Sequence, residues 1–522
     1  MRSPSRSAAS RLAWLRRSAA AGLLTLPMLH GAPTGSAQAP VPRGGEFQVN
    51  TTAVGNQRNP AVAVAPDGDF VIVWDSRGQD GSGAGIYAQR YTADGAPDGP
   101  EFLVNTSTPN DQIVPSVAVD ADGDFIVTWT SYLQDGDGYG VYGQRFAADG
   151  TRQGSEFQIN TSTVNVQFGP HVALDGDGDF VVAWDSYSET GSFFDVYVQR
   201  FRADGAALGP EVQVNAFTTG TQSLAALGVD ADGDFVVAWA SFNQDLSDFG
   251  VVAKRFAADG TPVGPEFQVN AFTTGDQAFP AIALAAGGDF VIAWHSEGQD
   301  GDDLGIAAQR FAADGTQRGG EFLVNTVTTG AQRSPSIAVD AEGRFVVVWR
   351  GPSRDGESVD IFARRYAADG VPDGEPFRVN TVTAGLQYTS SIGMNETGDF
   401  LVVWASRDQD GDGDGIFAQR YAASPVAAED TAPSQPAAID AVFPNPVREA
   451  ATVRYALSTP AAVRLTVTDV LGRTVLTRVQ GVQAAGQHEA ELALGELESG
   501  VYVVSLDADA VRVIRRVTVL TR

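Results

Sequence analysis

The sequence predicts an all-β chain, a seven-bladed β-propeller whose N-terminal strand closes the last blade, followed by an immunoglobulin-like β-sandwich, and three observations carry that prediction. A Glu-Phe-Gln-Val-Asn segment at Glu46 returns as variants at Glu101, Glu156, Glu211, Glu266, Glu321 and Pro376, always 55 residues apart. Trp74, Trp129, Trp184, Trp239, Trp294, Trp349 and Trp404 keep the same interval, as do the arginines at 90, 145, 200, 255, 310, 365 and 420. The count also begins with a lone outer strand, Glu46 to Asn50, and ends with a unit that lacks one. A ring in which the two meet leaves no strand unpaired, whereas a stacked solenoid needs caps.

Each unit reads as four antiparallel strands. In the second, Pro115 to Val119 is short and rich in small and β-branched residues, and Asp122-Gly123 is a hairpin signal. Phe125 to Trp129 is apolar except for Thr128, as suits a strand buried on both faces. Ser131 to Gly140 is a loop, Val141 to Phe146 the third strand, Ala148-Asp149-Gly150 a turn, and Glu156 to Asn160 an outer strand with one apolar face. The propeller is expected over 44–421 and a linker over 422–438, rich in alanine, proline and small polar residues.

Residues 1–39 carry Arg2, Arg6, Arg11, Arg16 and Arg17, no acid, and a mostly apolar stretch from Ala19 to Leu29. That is the pattern of a signal peptide for the general secretory route, cleaved after Ala37 or Ala39. Its removal takes the formal charge from −29 to −34. With 64 acidic residues against 35 basic ones, and Lys254 the only lysine, a nucleic-acid role is excluded, because phosphate binding needs a basic surface. The chain has no cysteine, so disulfides and thiolate chemistry are absent. No stretch reaches the roughly 18 apolar residues of a transmembrane helix.

In a ring of such units the long connections, typified by 106–114 and 131–140, share one face and the Asp-Gly turns the other. The long-loop face is therefore the expected binding surface. Residues present in all seven units are expected to serve the blades, tryptophan packing between them while the arginines and Gln57, Gln112, Gln167, Gln222, Gln277, Gln332 and Gln387 satisfy buried backbone groups.

Positions that break the repeat are more informative. The residue after each tryptophan reads Asp75, Thr130, Asp185, Ala240, His295, Arg350 and Ala405, unlike chemistries expected to ring one face. His295 is a candidate base or an ordinary surface residue, and His171, starting an inner strand, reaches the channel or packs in the core. The loops 186–195, with Tyr187, Phe193 and Phe194, and 241–249 depart most from the pattern. Their aromatics either stack on sugars, meet a protein or cover the blade beneath. Asp408, Asp410 and Asp412 stand at alternate positions with Gly413 sixth, and Asp414 adds another carboxylate, the spacing with which a loop wraps calcium. Gln419 at the twelfth position excludes an EF-hand, and the other reading is a polar hairpin loop.

The remainder alternates in six short strands, Thr452 to Leu457, Val463 to Thr468, Thr474 to Val479, His488 to Leu492, Val501 to Leu506 and Val511 to Leu520, which predicts a small β-sandwich over 439–522. Phe443-Pro-Asn-Pro446, Val467-Thr-Asp-Val-Leu-Gly-Arg473, Ala485-Gly486-Gln-His488, Leu497-Glu-Ser-Gly-Val-Tyr502 and a basic-apolar end at Arg515 to Leu520 follow in order. On these marks the segment resembles the type A C-terminal sorting domain of the type IX secretion system. The resemblance implies partnership with that machinery, passage through the outer membrane, and a product that is secreted or held at the cell surface.

Three functions follow for the propeller: a surface binding protein for an extracellular glycan or protein, a hydrolase such as a glycosidase, or a structural envelope protein. A glycosidase needs two carboxylates in distinct environments, and Asp75 with Asp185 is the nearest pair.

Overall fold

The computed structural model describes residues 40–187, 193–353, 356, 358–423 and 437–519, apart from 444–446, 448–449, 458–459, 469–472, 484–485, 496, 498 and 509–510. The signal peptide expected at 1–39 lies outside them. In blade 1 the strands Gln57–Val64, Phe70–Arg77, Ala84–Tyr91 and Phe102–Leu103 pair in sequence order, innermost to outermost. Blades 2 to 6 repeat this arrangement, beginning at Gln112, Gln167, Gln222, Gln277 and Arg333. Blade 7 takes Gln387–Met394, Phe400–Arg407 and Asp414–Tyr421 from the end of the repeat and Phe47–Gln48 from its beginning. The pairing Phe47 with Ala418 and Gln48 with Phe417 is the expected closure.

The blades hold together because each sheet has a large and a small face. In blade 2 Phe125, Val127, Trp129, Tyr142 and Phe146 pack on Ala63, Val71, Val73, Ile86 and Ala88 of blade 1. The same large-into-small packing joins blade 1 to blade 7, where Phe70, Ile72, Trp74 and Tyr91 meet Leu401, Val403, Ala405 and Ala418. Near the short-turn face an aromatic pair stiffens each blade, from Phe70 and Tyr91 at 4.8 Å to Phe400 and Tyr421 at 4.8 Å.

Several strand boundaries differ from the sequence reading: in blade 2 the second strand runs on to Tyr132, the third begins at Tyr139, and the outermost is Arg152–Gln158 rather than Glu156 to Asn160. The innermost strand of blade 2 starts at Gln112 rather than Pro115, because a register shift between Ile113 and Ser116 carries the pairing past the proline. Every innermost strand has this bulge, with Asn59, Val114, Gly169, Leu224, Phe279, Ser334 and Thr389 all at positive φ. The outermost strand is two residues long in six blades; in blade 1 the flanking Glu101 and Asn105 reach blades 7 and 2 through their side chains instead of extending the ladder.

The C-terminal part forms two sheets, one of Ala437–Phe443, Ala450–Leu457 and Gly486–Ala493, the other of Thr474–Gln483, Ala461–Thr468, Gly500–Ala508 and Val511–Val519. Val453, Tyr455, Leu465, Val467, Leu492, Val504, Leu506 and Val517 fill the space between them. Among the described residues the sandwich thus has seven strands rather than six, and its first begins at Ala437, two residues before the expected boundary.

Deleting residues 44–52 removes this closing strand and several kcal/mol of burial and hydrogen bonding. It is expected to lower the propeller's melting temperature by about 10 °C or more, at about 2–4 °C per kcal/mol. Deleting 424–522 should leave that transition nearly unchanged; equal effects of the two deletions in calorimetry would count against the latch.

Candidate functional site

The repeated polar residues form clamps between blades. Asn105 accepts the Ile86 N–H at 2.7 Å, donates to Gln112 Oε1 at 3.2 Å, and Gln112 in turn donates to the Pro109 carbonyl at 2.9 Å. Arg145 and Arg200 donate to the Ala203 and Ala258 carbonyls of the next blade's turn, and Arg420 closes the ring on Asp94. Glutamates complete the set. Glu101 accepts the Thr51 N–H at 2.7 Å and the Gln79 amide at 2.6 Å, and Glu46 of the closing strand takes the Thr381 N–H at 2.6 Å.

The residues after the tryptophans do not ring the surface as expected. They are drawn inward by the bulges. Asp75 Oδ1 accepts the Val114 N–H of the next blade at 3.3 Å, Thr130 accepts that of Gly169 at 3.1 Å, and Asp185 accepts those of Leu224 at 2.7 Å and Ala225 at 3.2 Å. Burial raises the Asp75 carboxyl to about 6 and that of Asp185 to about 7, against the pull of these hydrogen bonds. They sit in blades 1 and 3, each engaged on a different neighbouring strand, so the structure does not bring them together as a catalytic pair. His295 is buried, its ring 5.0 Å from Phe279, and Arg350 is half-buried. His171 lies exposed on an innermost strand, whose free edge borders the ring's centre.

Most of the aromatic positions pair with one another across the strands while staying partly exposed. Tyr187 and Phe194 are cross-strand partners packed edge to face at 5.2 Å, as are Phe242 and Phe249 in blade 4. Phe193 stays 46% exposed. The aspartates proposed for calcium have other partners. Asp414, fully buried, lies 2.6 Å from Arg58 and 3.2 Å from Arg407. Burial alone would raise its carboxyl, but Tyr388, Arg58 and Arg407 beside it bring it below the ordinary range. Asp410 accepts from Asn50 at 3.2 Å and Asp412 from the Gly55 N–H at 3.2 Å; Asp408 takes a positive φ of 61° at the turn. Among the described residues no three His, Asp or Glu side chains converge as a metal site.

One interface departs from the others. Between blades 5 and 6 Pro376 stands where the clamp glutamate is found elsewhere, and it has no carboxylate to reach Thr326. A groove of about 1230 Å³ opens there on the long-loop face, lined by Gln332, Trp349, Asp360, Phe362, Glu375 and Arg378 among others. The equivalent groove between blades 7 and 1, bridged by Glu101, measures about 650 Å³. Asp360 replaces the glycine found at this position in five blades; its side chain is 1% exposed, accepts Asn380 at 2.8 Å and lies 3.7 Å from Arg378. The signals were in the sequence, as a proline interrupting the glutamate series and an aspartate interrupting the glycines.

With this architecture in place, comparison with known proteins adds the export route. Residues 441–520 match the model of the secretion system C-terminal sorting domain, so the chain carries the type IX address and is secreted or placed at the outer-membrane cell surface. No curated protein matches the chain. Similar solved structures include a protein of unknown function from Dyadobacter fermentans, 10% identical, with 73% of this chain and 98% of that one covered at a TM-score of 0.44. PorZ, a surface component of the type IX secretion system of Porphyromonas gingivalis, is 13% identical, with 90% and 61% covered at 0.42. The β-propeller domain of the Trilobed protease from Pyrococcus furiosus is 8% identical, with 71% and 94% covered at 0.43. Likeness at this level says nothing about activity. Among the described residues no helix is long and apolar enough to cross a membrane.

The raised Asp185 carboxyl has a pH signature. Its folded pKa lies above the unfolded value, so the folded chain retains a proton the unfolded chain releases, and this contribution to stability falls as pH rises from about 4 to about 7. Asp185→Asn should therefore gain in melting temperature relative to wild type between pH 5 and pH 8, by about 2–4 °C for each kcal/mol relieved. A difference that stays constant with pH would show that Asp185 is ionised throughout.

Proposed function

We propose that this exported propeller is a non-enzymatic binding protein that recognises an extracellular glycan in the groove between blades 5 and 6. The widening of that groove where Pro376 interrupts the glutamate clamp carries the reading. Its lining supports a saccharide: Val327 and the half-buried Phe362 supply apolar faces, while the exposed side chains of Thr326, Glu375 and Arg378 supply hydrogen bonds at the margins. The hydrolase reading gains no support from Asp75 and Asp185: Asp75 Oδ1 accepts from Asn59 and the Val114 N–H, and both oxygens of Asp185 accept backbone N–H groups.

The experiment is a glycan array with the mature chain, followed by calorimetric titration of the hits against Pro376→Glu. The new glutamate would reach Thr326 as Glu101 reaches Thr51, so the variant should weaken binding at least about tenfold and melt at a higher temperature. Binding unchanged in a variant that is more stable would remove the groove from consideration, and capture of proteins but no glycan would favour a protein ligand.

Calcium is tested on the same sample by melting with the ion and then with chelator. The two arginines on Asp414 predict no shift, and a rise of several degrees would place calcium in the 408–414 loop.

A further inference from the structure

The inner end of the same interface carries a second departure from the repeat. In blades 1 to 3 the residue after the tryptophan offers an oxygen to the bulge N–H of the next blade, 39 residues onward. The same offset sets His295 against Ser334, and His295 offers no carboxylate. Its Nδ1 is buried and, among the described residues, has no hydrogen-bond partner. Beside Ser334, Arg333 is the direct cross-strand partner of Arg350. Like charges opposed in a ladder repel, and only Asp303, at 3.8 Å from Arg333, stands in ion-pair range of either guanidinium among the described residues. Arg350 is half-buried, and both burial and Arg333 lower its pKa, which marks a cation whose charge is not locally balanced. Phe279, tilted against His295 at 5.0 Å, leaves 45% of its surface open.

We propose that His295, Arg333 and Arg350 form an anion-recognition site for an acidic saccharide. Its carboxylate or sulfate pairs with the Arg333 and Arg350 guanidiniums beside the His295 imidazole, and its sugar ring lies on Phe279. Arginine pairs present forked donors to such groups, and the half-exposed aromatic face favours a sugar over a small inorganic anion. The rest of the chain is strongly acidic, but salt confines its repulsion to about 8 Å, so the local arginine pair governs. The site rests on the reading of the long-loop face as a ligand surface, at a place separate from the groove. His295 is held neutral, near 4, by burial, then by Arg333 and Arg350, with Asp276 opposing them. An anion between the arginines would raise it.

The test is calorimetric titration of the mature full chain with glucuronate, glucose 6-sulfate, glucose and inorganic sulfate, with the His295 imidazole followed by NMR. Glucuronate or glucose 6-sulfate should bind at least about tenfold more tightly than glucose and move the His295 titration upward; whichever is stronger identifies the anionic group. Arg350→Gln should remove that preference while melting no lower than wild type, since it relieves the like-charge pair. Arg333→Gln provides the same reading should Arg350→Gln fail to fold. Phe279→Ala should weaken both acidic sugars and leave sulfate alone. Equal binding of glucose, an unmoved His295, or an acidic peptide that binds more tightly than either sugar would overturn the proposal. Neutral glycans that bind the groove and are indifferent to Arg350→Gln would leave the groove reading intact while the anion site fails.

Discussion

Ring closure is the constraint on which the propeller depends. Each blade presents a large face to the small face of the blade before it, so an open row always leaves one large and one small face uncovered. Blade 7 resolves this by being assembled from both ends of the repeat. Val49 enters the core with Val403, Ile416 and Ala418, while Asn50 accepts the Ile416 N–H at 2.7 Å and Glu46 accepts the Gln409 amide at 2.5 Å. Closing a loop of this length costs on the order of 5 kcal/mol in chain entropy, a term that grows only logarithmically. Burying one large apolar side chain contributes about 1.5–3 kcal/mol, so a few residues of the closing strand and the interface it completes suffice to offset it.

Much of this was legible in the sequence because the signals were periodic. Tryptophan and arginine at a fixed interval, the recurring Glu-Phe-Gln-Val-Asn segment, and the unpaired strand at the start determine blade number and closure without reference to any long-range contact. The bulge in each innermost strand had no residue signature. The bulge falls on Asn59, Val114, Leu224, Phe279, Ser334 and Thr389, which share a positive φ and nothing else. That bulge aims the next blade's N–H at Asp75 and Asp185, so two carboxylates that look free in the sequence are internal acceptors. The first strand of the sandwich, Ala437–Phe443, was hidden for a similar reason, since its alanines continue the composition of the linker.

The calcium reading illustrates the same limit from the other side. Alternating aspartates with a following glycine are the right spacing for a wrapping loop, and local spacing is all that a sequence displays. The arginine that competes for Asp414, Arg58, lies 356 residues from it and reaches it only because the ring brings blade 1 against blade 7. A carboxylate fully withdrawn from solvent and held by two guanidiniums is already neutralised, and binding a cation there would require breaking those pairs.

Internal repetition supplies a reference that a single-copy fold lacks. Six of the seven interfaces carry the glutamate clamp, from Glu101 on Thr51 round to Glu46 on Thr381, and their uniformity shows what the blades need in order to pack. The interface between blades 5 and 6 lacks it, and the same interface brings His295 and Arg333 to its inner end. Architecture explains neither change. Losing the glutamate forfeits a backbone cap, and opposing Arg333 to Arg350 places like charges side by side, so both departures lower stability in a ring whose other interfaces avoid them. Two destabilising changes in one of seven otherwise equivalent places are the mark of a surface shaped by what it meets.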